Sequence, residues 1–546
     1  MNQSIRKAAT IAILTLPAPL ASQQAALLPA ATLVQPTVLV LPVRSDPLDS
    51  IRTILMRNLD HGGQLDVIQR EVSLILPLVE GTNPPILHRD SISQLGARFV
   101  LLAERIPDSV RVTVFDTLSR GREIRTFPVP SIRYLAGAVY DSITRHYEQR
   151  EAVARTRLAH LSAMYDSLMR EARGRQPRNA EQRAAAAARR DSAFLAIAAE
   201  APVVHERIRR FPIERDSALA SRVGSEVSVY DSSAYVQRMA LHAMSDEIQG
   251  WLSGVRGAAA SRIAFVRGGR LHVIDSDGAN ERQLTQRGRA LSPAWHPSGR
   301  WIVFSDITDS GTQIAEVDVG TGEVRLLAAT QRGYNITPAY SPDGSQIVFA
   351  ASTSGGSQLV AFDRETNRLA SLGAQTRNAS SPTFSPDGRR MAVVIPRAWS
   401  GSGTSARMTP QIFVIGSNGR IIEQLTPSTF GVRSYRTSPE WSPDGRYVAY
   451  TQQGGGFQIW LTDMNNRRAR QLTSGTNHED ASWSPDSRHL IVTAGRDDTE
   501  FLIINVETGR KRVLKTRSGA RLPTWSPRWT PGQPVVRAGQ RLAAGD

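Results

Sequence analysis

The chain has 546 residues, with 66 basic against 50 acidic side chains, a formal net charge of +16 and no cysteine. That length calls for two or three domains, and the absence of cysteine excludes disulfides, thiolate metal sites, a thiol nucleophile and a lipid anchor on an N-terminal cysteine. Only Lys7, Lys511 and Lys515 are lysines, and acids are interspersed among the arginines, so the charge reads as an arginine-rich composition rather than a nucleic-acid-binding patch.

Residues 1–25 have the form of an export signal. Arg6 and Lys7 precede an apolar run from Ala8 to Leu20, and small residues follow at Ala21 and Ser22. The run is too short, and too broken by Pro17 and Pro19, to span a bilayer. Cleavage is expected between Ala21 and Ala26. The mature chain is then expected in the periplasm, with no membrane span.

Residues 32–131 alternate between strand and helix patterns. Val38–Val43 is a buried strand. Asp46-Pro47 opens a helix that places Leu48, Ile51, Leu55 and Leu59 on one face and stops at Gly62-Gly63. Leu65–Ile68 is a strand, Ile92 and Leu95 lie on a short helix, and Arg98–Glu104, Ser109–Thr117 and Glu123–Val129 form an antiparallel meander. No glycine-rich phosphate loop follows any of these strands. The expectation is a small α/β domain.

Residues 132–232 change pattern again. Val139, Ile143, Tyr147, Ala154, Leu158, Leu161, Tyr165 and Leu168 keep close to a heptad spacing. A helix of about 40 residues is expected, broken by Gly174 and Pro177. A second, alanine-rich helix covers Ala180–Ala199, and Pro202 and Pro212 interrupt the residues after it. The pair reads as a projecting helical insertion, structural before it is anything else. A linking stretch, 233–256, carries one more helix, Ser233–Leu252.

From 257 to 530 one motif recurs six times: PAWHPSG from Pro293, PAYSPDG from Pro338, PTFSPDG from Pro382, PEWSPDG from Pro439, ASWSPDS from Ala481 and PTWSPRW from Pro523. Four of its five spacings are 42 to 45 residues, and one is 57. A period of that size means stacked like units. In each unit an aromatic strand leads into Ser-Pro-Asp-Gly, where proline sets φ for the turn and Asp-Gly tolerates positive φ. Two apolar runs and a short fourth strand come after the turn. Four strands make a propeller blade. The first run, Arg262–Val266, has no turn motif before it, so it matches a second strand. Its missing first strand is supplied by Pro523–Ser526, which closes a six-bladed ring. The long spacing is assigned to a loop, Pro396–Pro410. Residues 531–546 are a tail.

Catalysis finds no motif. There is no Gly-x-Ser-x-Gly, no His-Glu-x-x-His and no paired-histidine metal spacing. Asp275-Ser276-Asp277-Gly278 reads as a hairpin turn rather than a calcium loop, because the downstream acidic ligands are missing. His478-Glu479-Asp480 is read as a polar loop before a metal site. The chain stops about 20 residues after the last motif, so no appended hydrolase domain is expected. No cofactor is expected.

The junction HAMSDEIQGWLSG at His242–Gly254, with GAAASRIAFV at Gly257–Val266, resembles that of the TolB family of Tol–Pal proteins. The SPDG blades, Ile51–Ile68, Ala97–Leu102 and Val110–Asp116 are similar to the same family. The resemblance covers about 430 residues, and 132–233 stands outside it as an insertion. It implies a multidomain fold, a small α/β domain followed by a six-bladed β-propeller. It implies a non-enzymatic scaffold of the cell envelope, acting in division, whose propeller binds a peptidoglycan-associated lipoprotein of the Pal type. In the family the mature N-terminus reaches the inner-membrane partner TolA. Here Gln23–Gln35 is mostly Ala, Leu, Pro and Thr and lacks the strand-like polar pattern usual there.

Repeat geometry points to where a partner would dock. Connections from fourth to first strands lie on one face, around the channel mouth. Arg289, Tyr334, Asn378, Tyr435 and Asn477 stand four residues before their motifs, and Asn335, Arg436 and His478 stand three before. Aromatic, arginine and asparagine side chains around a channel suit protein binding. The competing reading is an exported sensor or carbohydrate-binding propeller on the same fold.

Overall fold

The computed structural model describes residues 35–41, 50–69, 79–80, 86–87, 92, 95–106, 108–119, 121–129, 138–174, 179–223, 230–309, 311–327, 333–353, 356–400, 407–427, 434–495 and 499–530. The expected signal segment, most of the mature tail, the expected helix start at Asp46-Pro47 and the C-terminal tail lie outside these residues.

The N-terminal region is an α/β layer. Its elements are β1 (Thr37–Val40), α1 (Ser50–Gly62), β2 (Asp66–Val67), a two-residue ladder of β3 (Val79–Glu80) with β4 (Ile86–Leu87), and the hairpins β5 (Phe99–Ile106), β6 (Ser109–Asp116) and β7 (Arg122–Pro128). The sheet order is β2-β1-β5-β6-β7. β1 runs parallel to both β2 and β5, while β5, β6 and β7 form the antiparallel meander. The helix forms because Ile51, Leu55 and Leu59 recur on one face, and all three are buried. It ends where Gly63 adopts a positive φ of 64°, a conformation that costs glycine nothing.

Two long helices come next, α2 (Ala138–Arg173) and α3 (Ala180–Val223). They pack as an antiparallel hairpin. Arg157 donates from Nε to Glu200 at 2.7 Å, Tyr165 meets Phe194 edge-on at 5.5 Å, and Arg150 lies 5.3 Å from the Phe211 ring. The second helix corrects the expectation that Ala199 ends it. It continues through Pro202 and Pro212 for 44 residues, about 66 Å at 1.5 Å per residue. Each interior proline removes one ladder bond. The contacts of Glu200 and Phe211 with α2 flank those positions and hold the helix together there.

Helix α4 (Tyr230–Ser253) returns the chain to the sheet. Tyr235, Met239, Met244 and Ile248 pack with α1, the inner face of the sheet, Ala260 and Trp529 in one core.

The propeller has six four-stranded sheets. Blade I spans 290–326, blade II 335–371, blade III 380–424, blade IV 436–471 and blade V 478–514. Blade VI combines 262–283 with the last strand, Arg521–Trp525. That strand pairs antiparallel with the first one made, Arg521 opposite Val266 and Trp525 opposite Ile263. Closure is therefore as the repeat count requires, and the inner edge of blade VI is paired.

Each turn is locked by its own side chains. In blade II, Ser341 Oγ donates to Asp343 Oδ1 at 2.5 Å and accepts from the Gln346 amide, while Asp343 accepts from the Ser345 amide. Gly344 closes the turn at φ 74°.

Two features depart from expectation. Within the segment 396–410 the described residues are strand rather than loop. Arg390–Ser400 and Arg407–Gly416 continue as an extended hairpin, with Pro396 opposite Pro410. Neither proline has an N–H, so placing them in one rung leaves a single rung without ladder bonds instead of two. The second feature is a β-bulge in every innermost strand. Register shifts fall at 291/294, 336/339, 380/383, 437/440, 479/482 and 521/524. At each, one residue has positive φ: Ser292, Thr337, Ser381, Ser438, Asp480 and Leu522. Two residues oppose one, so the strand bends and twists locally there.

Candidate functional site

The two faces of the propeller differ in construction. In an antiparallel four-stranded blade, the first-to-second and third-to-fourth turns end on one face. The second-to-third hairpins and the connections to the next blade end on the other. The α/β layer sits on the first face, over blades V and VI. Arg510, in the third-to-fourth turn of blade V, grips Asp60 of α1 at 2.9 and 3.0 Å. Asp277, in the corresponding turn of blade VI, takes Arg57 of α1 at 2.5 Å and Arg238 of α4.

This joint is charged and buried. Asp275 also faces Arg238, at 3.5 Å, and accepts from the Tyr235 hydroxyl at 3.3 Å. Its carboxyl is pushed up to about 6, first by burial. Asp277 feels the same burial, but Arg238 and Arg57 hold it well below the usual carboxylate range. Fully buried His242 is 3.5 Å from Asp277 and contacts Asn58 through Nδ1 at 2.9 Å. Burial drives its pKa down to about 3, so the ring is neutral. Asp246 anchors the linker by accepting the amides of Ala259 and Ala260, and burial raises it to about 7. Gly62 is required by close approach, since a Cβ there would stand 1.8 Å from Gln249 Oε1. None of these residues was singled out from the sequence for a site. The signal was present: the hairpin turn Asp275–Gly278 and the junction His242–Gly254 are the two halves of the joint.

The opposite face carries the fourth-to-first connections, and no described segment of the α/β layer covers it. Here the eight sequence-selected residues separate by offset. Those four before the motif face outward. Tyr334 is 70% exposed, Arg289 and Asn378 are exposed, and Tyr435 and Asn477 are half-buried. Tyr435 leans edge-on against Phe457 at 6.1 Å. Asn477 Oδ1 accepts from the Phe457 amide at 3.1 Å, so this side chain stitches its connection to the neighbouring blade. Residues three before the motif point inward instead. Asn335 is buried and donates from Nδ2 to the Thr312 carbonyl at 2.9 Å. His478 is buried as well, and desolvation lowers its pKa.

Arg436 is occupied. Its guanidinium donates to Gln452 and Gln411 side chains at 2.8 and 2.7 Å, and to the Pro427 carbonyl at 2.9 Å. It braces the connection into blade IV, and burial lowers its pKa. The accessible rim is therefore Arg289, Tyr334 and Asn378, with Tyr435 behind them. The extended hairpin of blade III stands beside it and exposes Met408.

The channel wall adds two carboxyls, one inside a repeat motif and one in the His478-Glu479-Asp480 cluster. Glu440 lies on the inner strand of blade IV, and burial raises it to about 7. Asp480 rises to about 6 through burial and the neighbouring Glu479. Among the described residues, no group of three or more histidine or carboxylate side chains comes together to hold a metal ion. Nor does any described helix have the length and apolarity to cross a membrane.

Residues 250–529 match the family model for the TolB beta propeller domain. The Tol-Pal system protein TolB of Legionella pneumophila is 35% identical over 101 residues, 17% of this chain and 24% of that protein. The TolB homolog of Chlorobium chlorochromatii is 33% identical over 161 residues, 29% of this chain and 36% of that protein. The chain thus spans between about a quarter and a third of the length of these curated relatives. In structure, TolB from Acinetobacter baumannii aligns over 90% of this chain and 97% of its own, with a TM-score of 0.60 at 17% identity. That likeness establishes the shared fold.

Proposed function

Since the chain belongs to the TolB β-propeller family, we propose that it is a periplasmic protein-binding scaffold whose open propeller face receives a Pal-type outer-membrane lipoprotein. The carrying observation is the asymmetry of the two faces. One is covered over blades V and VI by the protein's own α/β layer, while the other presents Tyr334, Arg289 and Asn378 to solvent around the channel mouth. Exposed tyrosine and arginine side chains are the residue types that dominate binding energy when a partner desolvates them. The role is non-catalytic, joining the outer envelope to the rest of the Tol–Pal assembly during division. A TolA-type inner-membrane partner would meet the mature N-terminal tail.

The test is calorimetric titration of the soluble domain of the Pal-type lipoprotein against the mature chain. Saturable binding that Tyr334→Ala weakens by roughly tenfold to a hundredfold supports the reading. Binding that is absent, or unchanged by substitution of Tyr334 and Tyr435 together, sinks it and leaves the sensor or carbohydrate-binding propeller as the function to pursue.

A further inference from the structure

Between α1 and blade V lies a cavity of about 130 Å³, lined by Asp60, His61, Gly63, His489, Ile503, Asn505 and the run Arg510, Lys511 and Arg512. A smaller space of about 30 Å³ adjoins it, shares His61, His489 and Arg512, and reaches Gln249. The larger one has room for a few waters or for one small ion with a water.

Its acceptors are already occupied. Asp60 is taken by Arg510. Asp486, at the edge of the smaller space, is 2.9 Å from His489 Nδ1. Asn505 Oδ1 accepts the amides of Glu507 and Thr508, which fixes its Nδ2 toward His489 Nε2 at 3.3 Å. His489 Nε2 is therefore an acceptor in use, and its proton sits on Nδ1, facing Asp486.

The donors are in excess. Arg512 donates from one terminal nitrogen to the Ser276 carbonyl at 3.1 Å, and its Nε is buried with no partner among the described residues. Gln249 Nε2 is buried in the same condition. Lys511 is exposed at the cavity's edge. The local field is positive enough that His61, already penalised by burial, is pushed down to about 3 with help from Arg512 and Arg57. A neutral donor is satisfied by water. The carboxylates nearest Arg512 are Asp60 and Asp277, and each is already engaged, Asp60 by Arg510 and Asp277 by both Arg57 and Arg238. A buried guanidinium that must share its counter-charge in this way favours an added anion.

We propose that this cavity is a binding site for a small oxyanion, held by Arg512 Nε and Lys511 and roofed by His61 and Gly63 of the α/β layer. The occupant would share the joint between the two domains and strengthen it. The site is independent of the Pal-binding face, so either reading can fail without the other.

The experiment is calorimetric titration of the mature chain with inorganic phosphate at constant ionic strength, with acetate as a second arm. One saturable site is expected. Arg512→Gln should weaken it at least about tenfold and Lys511→Gln about threefold to fivefold, while Arg389→Gln on blade III leaves it unchanged. Phosphate should also raise the melting temperature of the parent and not that of Arg512→Gln. Saturation by acetate alone would support the site and identify the occupant as a carboxylate. No saturation by either ion overturns the proposal. So does undiminished affinity in the lysine variant, which, being exposed, folds as the parent does, together with undiminished affinity in Arg512→Gln.

Discussion

The propeller's two faces are built from the same six repeats and have opposite chemistry. On the face under the α/β layer, polar groups are buried and matched: Asp277 against Arg57 and Arg238, Asp60 against Arg510, Asp246 against two backbone amides. On the other face, the corresponding connections hold their outward side chains in water. The difference shows what a closed ring offers. Its stability comes from stacked blades, so either face is free for docking, and this chain has committed one of them internally.

The largest effect should come from removing what both faces share. Deleting every residue after Thr516 takes away the strand Arg521–Trp525 and also Trp529, which belongs to the α/β core. Blade VI is left with an open edge, and the joint loses an aromatic whose truncation alone is worth about 3–5 kcal/mol. Aggregation or loss of the cooperative melt is expected. An unaltered thermal transition would mean that neither closure nor the joint depends on this segment.

Next comes the covered face alone. Asp277→Ala leaves Arg57 and Arg238 facing each other without their shared carboxylate, a cost of about 3–5 kcal/mol for breaking a buried pair. Denaturant melts should show it, and hydrogen exchange should place the loosening in α1 and α4 with the blades still protected. Uniform loosening of blades and joint would contradict the division of labour between faces.

The same joint carries a pH signature. His242 has a folded pKa of about 3 against an ordinary 6.5. The unfolded chain therefore takes up a proton that the folded chain refuses. The stability tied to the neutral ring is intact above 6.5 and declines as pH falls from there toward 3. His242→Gln removes this proton uptake. Across pH 6.5 to 4 the parent's advantage over the variant should shrink by on the order of 1.4 kcal/mol per pH unit. Parallel stability curves for the two proteins would show that the ring is not held neutral.

The smallest stability effects belong to the open face, and they divide it. Arg436→Ala should cost about 1–2 kcal/mol, because it releases Gln411, Gln452 and the Pro427 carbonyl. Tyr334→Ala should stay within about 0.5 kcal/mol of the parent. Chemical melts of the pair resolve this. Equal losses would erase the distinction between a bracing residue and an accessible one.

Much of this fold was legible because its signals are local. Proline, Asp-Gly and an aromatic recur at each blade turn, and their count alone implied that Pro523–Ser526 would complete the blade begun at Arg262. The bulges carry no such mark. Serine, threonine, aspartate and leucine all occupy the positive-φ position, so the conformation is imposed by the ring rather than by residue choice. Pro202 and Pro212 misled for the opposite reason: a strong local breaker was overridden by packing against α2. At the open face, the repeat offset located the fourth-to-first connections but not the direction of each side chain. Asn335 and His478 sit one residue into a strand whose alternation turns them inward. Arg436 is drawn in by Gln411 and Gln452, which are 25 and 16 residues away in sequence.

The pairing of Arg521–Trp525 with Arg262–Arg267 also sets an order in time. The ribosome makes the propeller's first three strands before it has begun any of the five complete blades, and it makes their inner partner last. At 5–20 residues per second, roughly 250 intervening residues keep that edge waiting for on the order of ten to fifty seconds. Until then the chain holds blade VI as three strands with no neighbour on their channel side. The ring is thus a clasp whose two halves are made at opposite ends of the propeller, and the sequence distance between them sets the shortest time for which it stays open.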